Sequence, residues 1–185
     1  KGFAYHEKLV YCMRLHSNKE LFINYIRITS QQMDIPAIYV EKDYWMTYAL
    51  FILFNDPIGK DIIFKGGTSL SKCYQMIDRF SEDIDLVVIK NDVDTGSDLK
   101  RRLKDITTII DRSILEIVPD HTNTNKKGSI RKIVYTFPKV GLGGKYGEVK
   151  DDITLEVSHL GNFEPNVTKP IRTLISDYIN STPNI

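Results

Sequence analysis

Cysteine is almost absent from this sequence: its 185 residues include only Cys12 and Cys73. Two thiols so far apart supply neither the disulfide framework of a small secreted fold nor the close pairs of a thiolate zinc site. They are expected as free or buried thiols in a reducing cytoplasm. The four histidines, His6, His16, His121 and His159, have no metal-ligand spacing either. Long apolar runs are missing too. The run YALFILF at 48–54 falls well short of the ~18 residues a membrane span requires, and it reads as a buried helix. The opening residues, KGFAYHEK, contain nothing like the apolar centre of a secretory leader. Neither sign of charge dominates, with 25 Lys and Arg against 24 Asp and Glu and a net charge of +1. No global excess of basic charge therefore argues for nucleic acid, and local clusters would have to carry that case. There is no internal repeat, no low-complexity tract and no GxxxxGK[ST] signature, so a Walker-type ATPase is excluded as well.

What is present is the composition of an ordinary globular protein, 42% hydrophobic and 26% charged, in a chain long enough to bury a core. Apolar residues recur three or four apart at Leu9 and Met13, then at Leu21, Tyr25 and Ile28, which predicts helices over 4–15 and 19–33. Ser17-Asn18 supplies the cap between them, and Asp34-Ile35-Pro36 ends the second. Pro36 opens a third helix that runs to about Phe54, where Asn55-Asp56-Pro57 stops it. Strands are predicted at 61–65 and 83–89 around a helix at 68–77. Two more, at 129–137 and 152–159, flank the glycine-rich GLGGKYGE. A charged loop at 90–97 leads into an amphipathic helix near 98–117, and a short element is expected near 170–179. The order predicts an α+β fold, a small mixed β-sheet with N-terminal helices packed on it. Residues 1–57 read as an N-terminal helical region and 58–185 as the core. Since the chain starts at Lys1 and stops in STPNI, a longer natural protein is expected.

The chemistry concentrates in FKGGTSLSKCYQMIDRFSEDIDLVVI, residues 64–89. Gly66-Gly67 follow a strand and open a helix with Thr68, Ser69 and Ser71. Backbone N–H groups at such a turn suit phosphates, although a plain strand-to-helix connection would look the same. Asp83 and Asp85 stand two apart on the next strand and therefore share a face. Adjacent carboxylates repel, and a divalent cation between them relieves the repulsion. A solvent-facing edge strand would give the same DxD. Glu156, in ITLEVSHL, projects away from the apolar Ile153, Leu155 and Val157. As a third carboxylate on an adjacent strand it would complete the acid set of a metal-dependent phosphoryl-transfer site.

Lys65 and Lys72 are candidate phosphate ligands, and Arg79 and Ser81 flank the acids. Lys100, Arg101, Arg102 and Lys104, Lys126-Lys127, Arg131-Lys132 and Lys145 form local clusters that an RNA backbone could use, or that are simply solvated. Asp151 and Asp152 read as a solvated turn, and His159 as structural.

The segments VEKDYWMTYAL (40–50), FKGGTSLSK (64–72), RFSEDIDL (79–86) and ITLEV (153–157) together resemble the AbiEii/AbiGii-type nucleotidyltransferase toxins, within the DNA polymerase β-like nucleotidyltransferase superfamily. The resemblance spans roughly 36–180. It implies transfer of a nucleoside monophosphate from an NTP, with Mg²⁺ (or Mn²⁺), to an acceptor such as the tRNA 3′ end or a protein. It also implies a cognate antitoxin and a role in toxin–antitoxin or phage-defence systems. Carried over by position, Gly66, Gly67 and Thr68 match the nucleotide-binding turn, with Lys65 and Ser69 beside it. Asp83 and Asp85 match the metal-binding acids, and Glu156 the third carboxylate. Ser81 falls where some related toxins carry a serine that is phosphorylated to silence them. EKDYW matches a helix packed against the nucleotide core. Members usually continue into a helical C-terminal region, which this chain does not reach. Two alternatives remain: a catalytically degenerate nucleotide- or antitoxin-binding domain, and a DxD glycosyltransferase.

Overall fold

The computed structural model describes residues 14–77, 83–125, 128–141, 152–160 and 165–181. The helix expected over 4–15 lies outside them except for its last two residues, which lead into a short 3-10 turn, Leu15–Ser17. Helix α1 is Lys19–Met33. The Asn18 side chain accepts the Leu21 N–H at 3.0 Å to start it, and Asp34 ends it in the left-handed conformation (φ 52°). Such a cap satisfies N–H groups that have no intrahelical partner. Helix α2, Ala37–Asn55, follows Pro36 directly, and the Asp56 side chain takes the Ile58 N–H as the chain turns into the 3-10 segment Pro57–Asp61. These boundaries match the expected ones.

Five strands follow: β1 Ile62–Lys65, β2 Asp83–Val88, β3 Val118–Asn125, β4 Ile130–Thr136 and β5 Asp152–Ser158. They form one mixed sheet in the order β1-β2-β5-β4-β3, with β2 and β5 parallel and the other pairs antiparallel. Strand β2 is therefore internal, and the edge-strand reading of its DxD does not hold. Helix α3 is Gly66–Tyr74, which begins at the glycines themselves and is shorter than the expected 68–77. Helix α4 is Gly96–Ser113, set by a Thr95/Asp98 capping box, two residues ahead of its expected start. Strand β3 was not expected, because VPDHTNTN has no apolar alternation. The last element is helix α5, Leu174–Ser181.

The chain divides into two compact units, one of Lys1–Tyr48, Lys139–Val149 and Arg172–Ile185, the other of Ala49–Pro138 and Lys150–Ile171. In the first unit α1 packs with α5. The EKD of α2 is buried there, with Glu41, Lys42 and Asp43 only 2%, 0% and 4% exposed. Glu41 Oε2 accepts the Val140 N–H (3.2 Å), and Asp43 Oδ2 accepts the Leu174 N–H (2.7 Å) at the start of α5. A carboxylate buried without such donors would cost stability.

In the second unit one face of the sheet is apolar, while the face with the acids also carries the buried Val87, Val134, Thr154 and Ser158. Ile84, Leu86, Ile133, Tyr135, Ile153, Leu155 and Val157 are buried on one face. Helix α4 lies over it, burying Leu99, Leu103, Ile106 and Ile110, with Tyr135 donating its hydroxyl to Asp111 at 2.9 Å. Arg102 grips Asp94 through both guanidinium nitrogens (3.0 and 2.7 Å) and reaches the Ile89 carbonyl, pinning the charged loop to α4. The opposite face carries the acids. Among the described residues no helix is long and apolar enough to cross a membrane.

Candidate active site

Register assembles the polar face of the sheet. Lys65 pairs with Asp85, Asp85 with Glu156, and Glu156 with Lys132, one row across β1, β2, β5 and β4. Residues directly opposite on neighbouring strands point the same way, so the row places two carboxylates side by side between two ammonium groups. Asp83 lies two residues along β2 on the same face, opposite Thr154. It is exposed, while Lys65, Asp85, Lys132 and Glu156 are half-buried. The third acid expected beside Asp83 and Asp85 thus stands on the adjacent strand, in line with Asp85.

Burial pushes the Asp85 carboxyl above the ordinary aspartate range. The nearby ammonium of Lys65 opposes that shift, the carboxylates of Asp83 and Glu156 add to it, and Lys132 again opposes it. Asp85 is the electrostatic centre of the group, sensed by two acids and two lysines. An acid already disfavoured as an anion gains most from a cation.

The glycine turn closes on this acid. Gly66 has φ +77°, a conformation that side chains disfavour, and a Cβ built on it would overlap the Asp85 carboxylate. The first N–H groups of α3, which have no intrahelical partner, therefore begin beside the acid row. Thr68 is 1% exposed, and its hydroxyl donates to the Asp83 backbone carbonyl at 2.5 Å. Its role here is to tie the first turn of α3 to the first residue of β2. Ser69 is buried and hydrogen-bonded to the Cys73 thiol, and Ser71 donates to the Thr68 carbonyl (3.1 Å). The turn thus offers backbone donors, with its hydroxyls engaged inside the fold.

Several expected residues fall elsewhere. Ser81 and Arg79 lie outside the described residues, as do Asp151, Lys145, Lys126 and Lys127. Asp152 is not a turn residue but the first of β5. Arg101 bonds Asp98 (2.8 Å) and Arg102 holds Asp94, so neither is a bare basic side chain. In the sequence Lys132 stands out only as part of a basic cluster with Arg131. Alternation in RKIVYT sets it on the face away from Ile133 and Tyr135, but only register reveals Glu156 as its neighbour.

Among the described residues no three His, Cys, Asp or Glu side chains are gathered closely enough to cage an ion. The donor set is nevertheless that of a hard cation. Mg²⁺ usually takes one or two carboxylates and completes its shell with water and substrate phosphates, and does not need an all-protein cage. The desolvated Asp85, with Asp83 beside it and Glu156 opposite, fits that mode.

A family profile described as nucleotidyl transferase AbiEii toxin, type IV TA system, matches residues 48–185, which contain every residue of this site. No curated protein matches the chain.

Proposed function

Because the chain belongs to the AbiEii nucleotidyl transferase toxin family of type IV toxin–antitoxin systems, we propose that it transfers a nucleoside monophosphate from an NTP to an RNA acceptor such as a tRNA 3′ end. The observation that carries this reading is the contact of Gly66 with Asp85, which makes the phosphate turn and the acid row one place. Asp83 and Asp85, with Glu156, would hold Mg²⁺ (or Mn²⁺), which when bound acidifies the attacking hydroxyl and neutralises charge on the triphosphate.

The chain's own groups divide the rest of the work. The N–H groups of Gly66 and Gly67 face the β- and γ-phosphates at a helix N-terminus. Lys65 and Lys132, at the two ends of the row, balance the carboxylates and attract the triphosphate. The acceptor oxygen bonds to the α-phosphorus as the bond to the pyrophosphate oxygen breaks. The hydroxyl proton passes to the carboxylate face, where Glu156 stands across from Asp85.

The family implies an antitoxin partner, and the reading extends to a cytoplasmic enzyme in phage defence. A DxD glycosyltransferase would leave both Glu156 and the close approach of Gly66 without a purpose. Incubation with total RNA, Mg²⁺ and each radiolabelled NTP tests the reading. Labelled RNA with at least one nucleotide, abolished by Asp83→Ala or Asp85→Ala in folded protein, is the expected result. Unchanged labelling in either variant removes that residue from the site, and no labelling with any NTP overturns the activity.

A further inference from the structure

Two rows of side chains cross the polar face of the sheet, and both end on β3. Register carries the first beyond the lysine: Lys65, Asp85, Glu156, Lys132 and then Asn125. The second runs from Asp83 through Thr154 and Val134 to Asp120. Side chains directly opposite on paired strands share a face, so Asn125 and Asp120 stand on the side of the acids. Between them β3 shifts register, and an edge irregularity of this kind re-aims a side chain. Local polar bonds fix its shape. The Asp120 carboxylate accepts the Thr122 N–H (2.9 Å), the Thr122 hydroxyl (2.6 Å) and the Asn123 amide (2.8 Å), and Thr124 donates to the Asp120 carbonyl (2.9 Å). Asn125 is left exposed beside Lys132, and among the described residues its amide has no hydrogen-bond partner. None of the eight residues of β3 is buried, so the core does not explain this polar strand.

We propose that the acceptor end lies over β5, β4 and β3, with the Asn125 amide hydrogen-bonded to the base of its terminal nucleotide. The proposal rests on the nucleotidyl-transfer reading above and adds where its acceptor lies and which residue reads it. In phosphoryl transfer the attacking and leaving oxygens stand roughly in line. On that reading the leaving pyrophosphate is held at the glycine turn, which follows β1 directly, with α3 packed on β1 and β2. The attacking hydroxyl therefore comes from the other side, past Glu156, where the face continues over β4 to β3. Two strand spacings separate Asn125 from Glu156, about 10 Å. One nucleotide spans that gap with its hydroxyl at Glu156 and its base outward. A primary amide presents donor and acceptor in one plane. Asparagine pairs in this way with N6 and N7 of adenine, and unstacked RNA ends are read through such base edges. The terminal base is accordingly adenine.

Nucleotidyl transfer to four tRNA acceptor-stem hairpins that differ only in the last base tests this. The parent should prefer the hairpin ending in adenosine. Asn125→Ala should lower kcat/KM for that hairpin about 5- to 150-fold, the range of one bidentate pair, and leave the other three near parent values. The isosteric Asn125→Asp, which cannot donate to N7, should lose the preference as well. Calorimetry of Mg-NTP should give the parent affinity in both variants, because the amide stands across the acid row from the glycine turn. Equal transfer to all four hairpins by the parent overturns the proposal, as does an intact adenine preference in Asn125→Ala at the parent melting temperature. If the parent binds Mg-NTP but labels no hairpin, the proposal fails while the nucleotide site stands. If it binds no Mg-NTP, the nucleotidyl-transfer reading itself fails.

Discussion

At the scale of single residues, Gly66 and Asp85 have to be understood together. Gly66 meets two demands, a φ of +77° and space for the Asp85 carboxylate. Gly66→Ala is expected to cost about 1–2 kcal/mol from the left-handed backbone alone and to push Asp85 aside. Urea unfolding should show the lower stability and calorimetry a weaker Mg-NTP affinity; an alanine variant with both at parent values would refute the close packing. Asp85 has the opposite problem, a carboxyl raised above its ordinary value of 3.8, chiefly by burial. A raised carboxyl binds its proton more tightly in the folded than in the unfolded state. Its stabilising contribution is present below the unfolded value and is lost as pH rises through the folded one. Asp85→Asn removes that loss, so thermal unfolding without metal should find the variant more stable than the parent at pH 7, with the advantage shrinking as pH falls through the raised folded value toward 3.8. An Asn variant less stable at pH 7 would show that its partners outweigh the desolvation. Such a trade is expected where an acid is kept for binding and not for folding.

At the scale of elements, single hydrogen bonds dock helices far apart in sequence. Thr68 anchors α3 to β2 through the Asp83 carbonyl, and Thr68→Val should cost about 0.5–1.5 kcal/mol by removing that hydrogen bond. Denaturant unfolding measures it, and a neutral change would show that water or another donor replaces the hydroxyl. Asp43 caps α5 from helix α2, so Asp43→Ala should speed hydrogen exchange at the first amides of α5 and cost about 0.5–2 kcal/mol. Unaltered exchange there would remove the cap from the account. Helices α1 and α2 were legible because Asn18, Pro36 and Asn55-Asp56-Pro57 act locally, and the sequence shows local punctuation directly. Strand β3 was not, since an exposed edge of VPDHTNTN holds its place by pairing with β4 and not by an apolar pattern. The α3 boundary slipped because Gly-Gly reads as a turn, whereas only Gly66 is outside helical geometry and Gly67 is already within the helix. The three acids could be named from alternation. Their meeting could not, because the parallel pairing of β2 with β5 joins strands separated by two others in sequence.

At the scale of the whole molecule, the residues of the proposed site lie in one compact unit. Lys65, Gly66, Asp83, Asp85, Lys132 and Glu156 all belong to the unit of Ala49–Pro138 and Lys150–Ile171. The buried Glu41, Lys42 and Asp43 belong to the other, where Glu41 and Asp43 hold the chain at Val140 and Leu174. In a near-neutral protein of this kind, the proposed affinity for a polyanionic nucleotide would come from local groups: two lysines, a helix N-terminus and an acid row whose repulsion a divalent ion would relieve. The proposed metal-dependent triphosphate site joins the glycine turn to the carboxylates. Titration calorimetry of NTP into the protein, with Mg²⁺ and then with chelator, is the decisive measurement. Binding that requires Mg²⁺ and disappears in Asp85→Ala, while that variant stays folded, is the expected result. Binding of equal strength in chelator, or in Asp85→Ala with Mg²⁺ present, would contradict it.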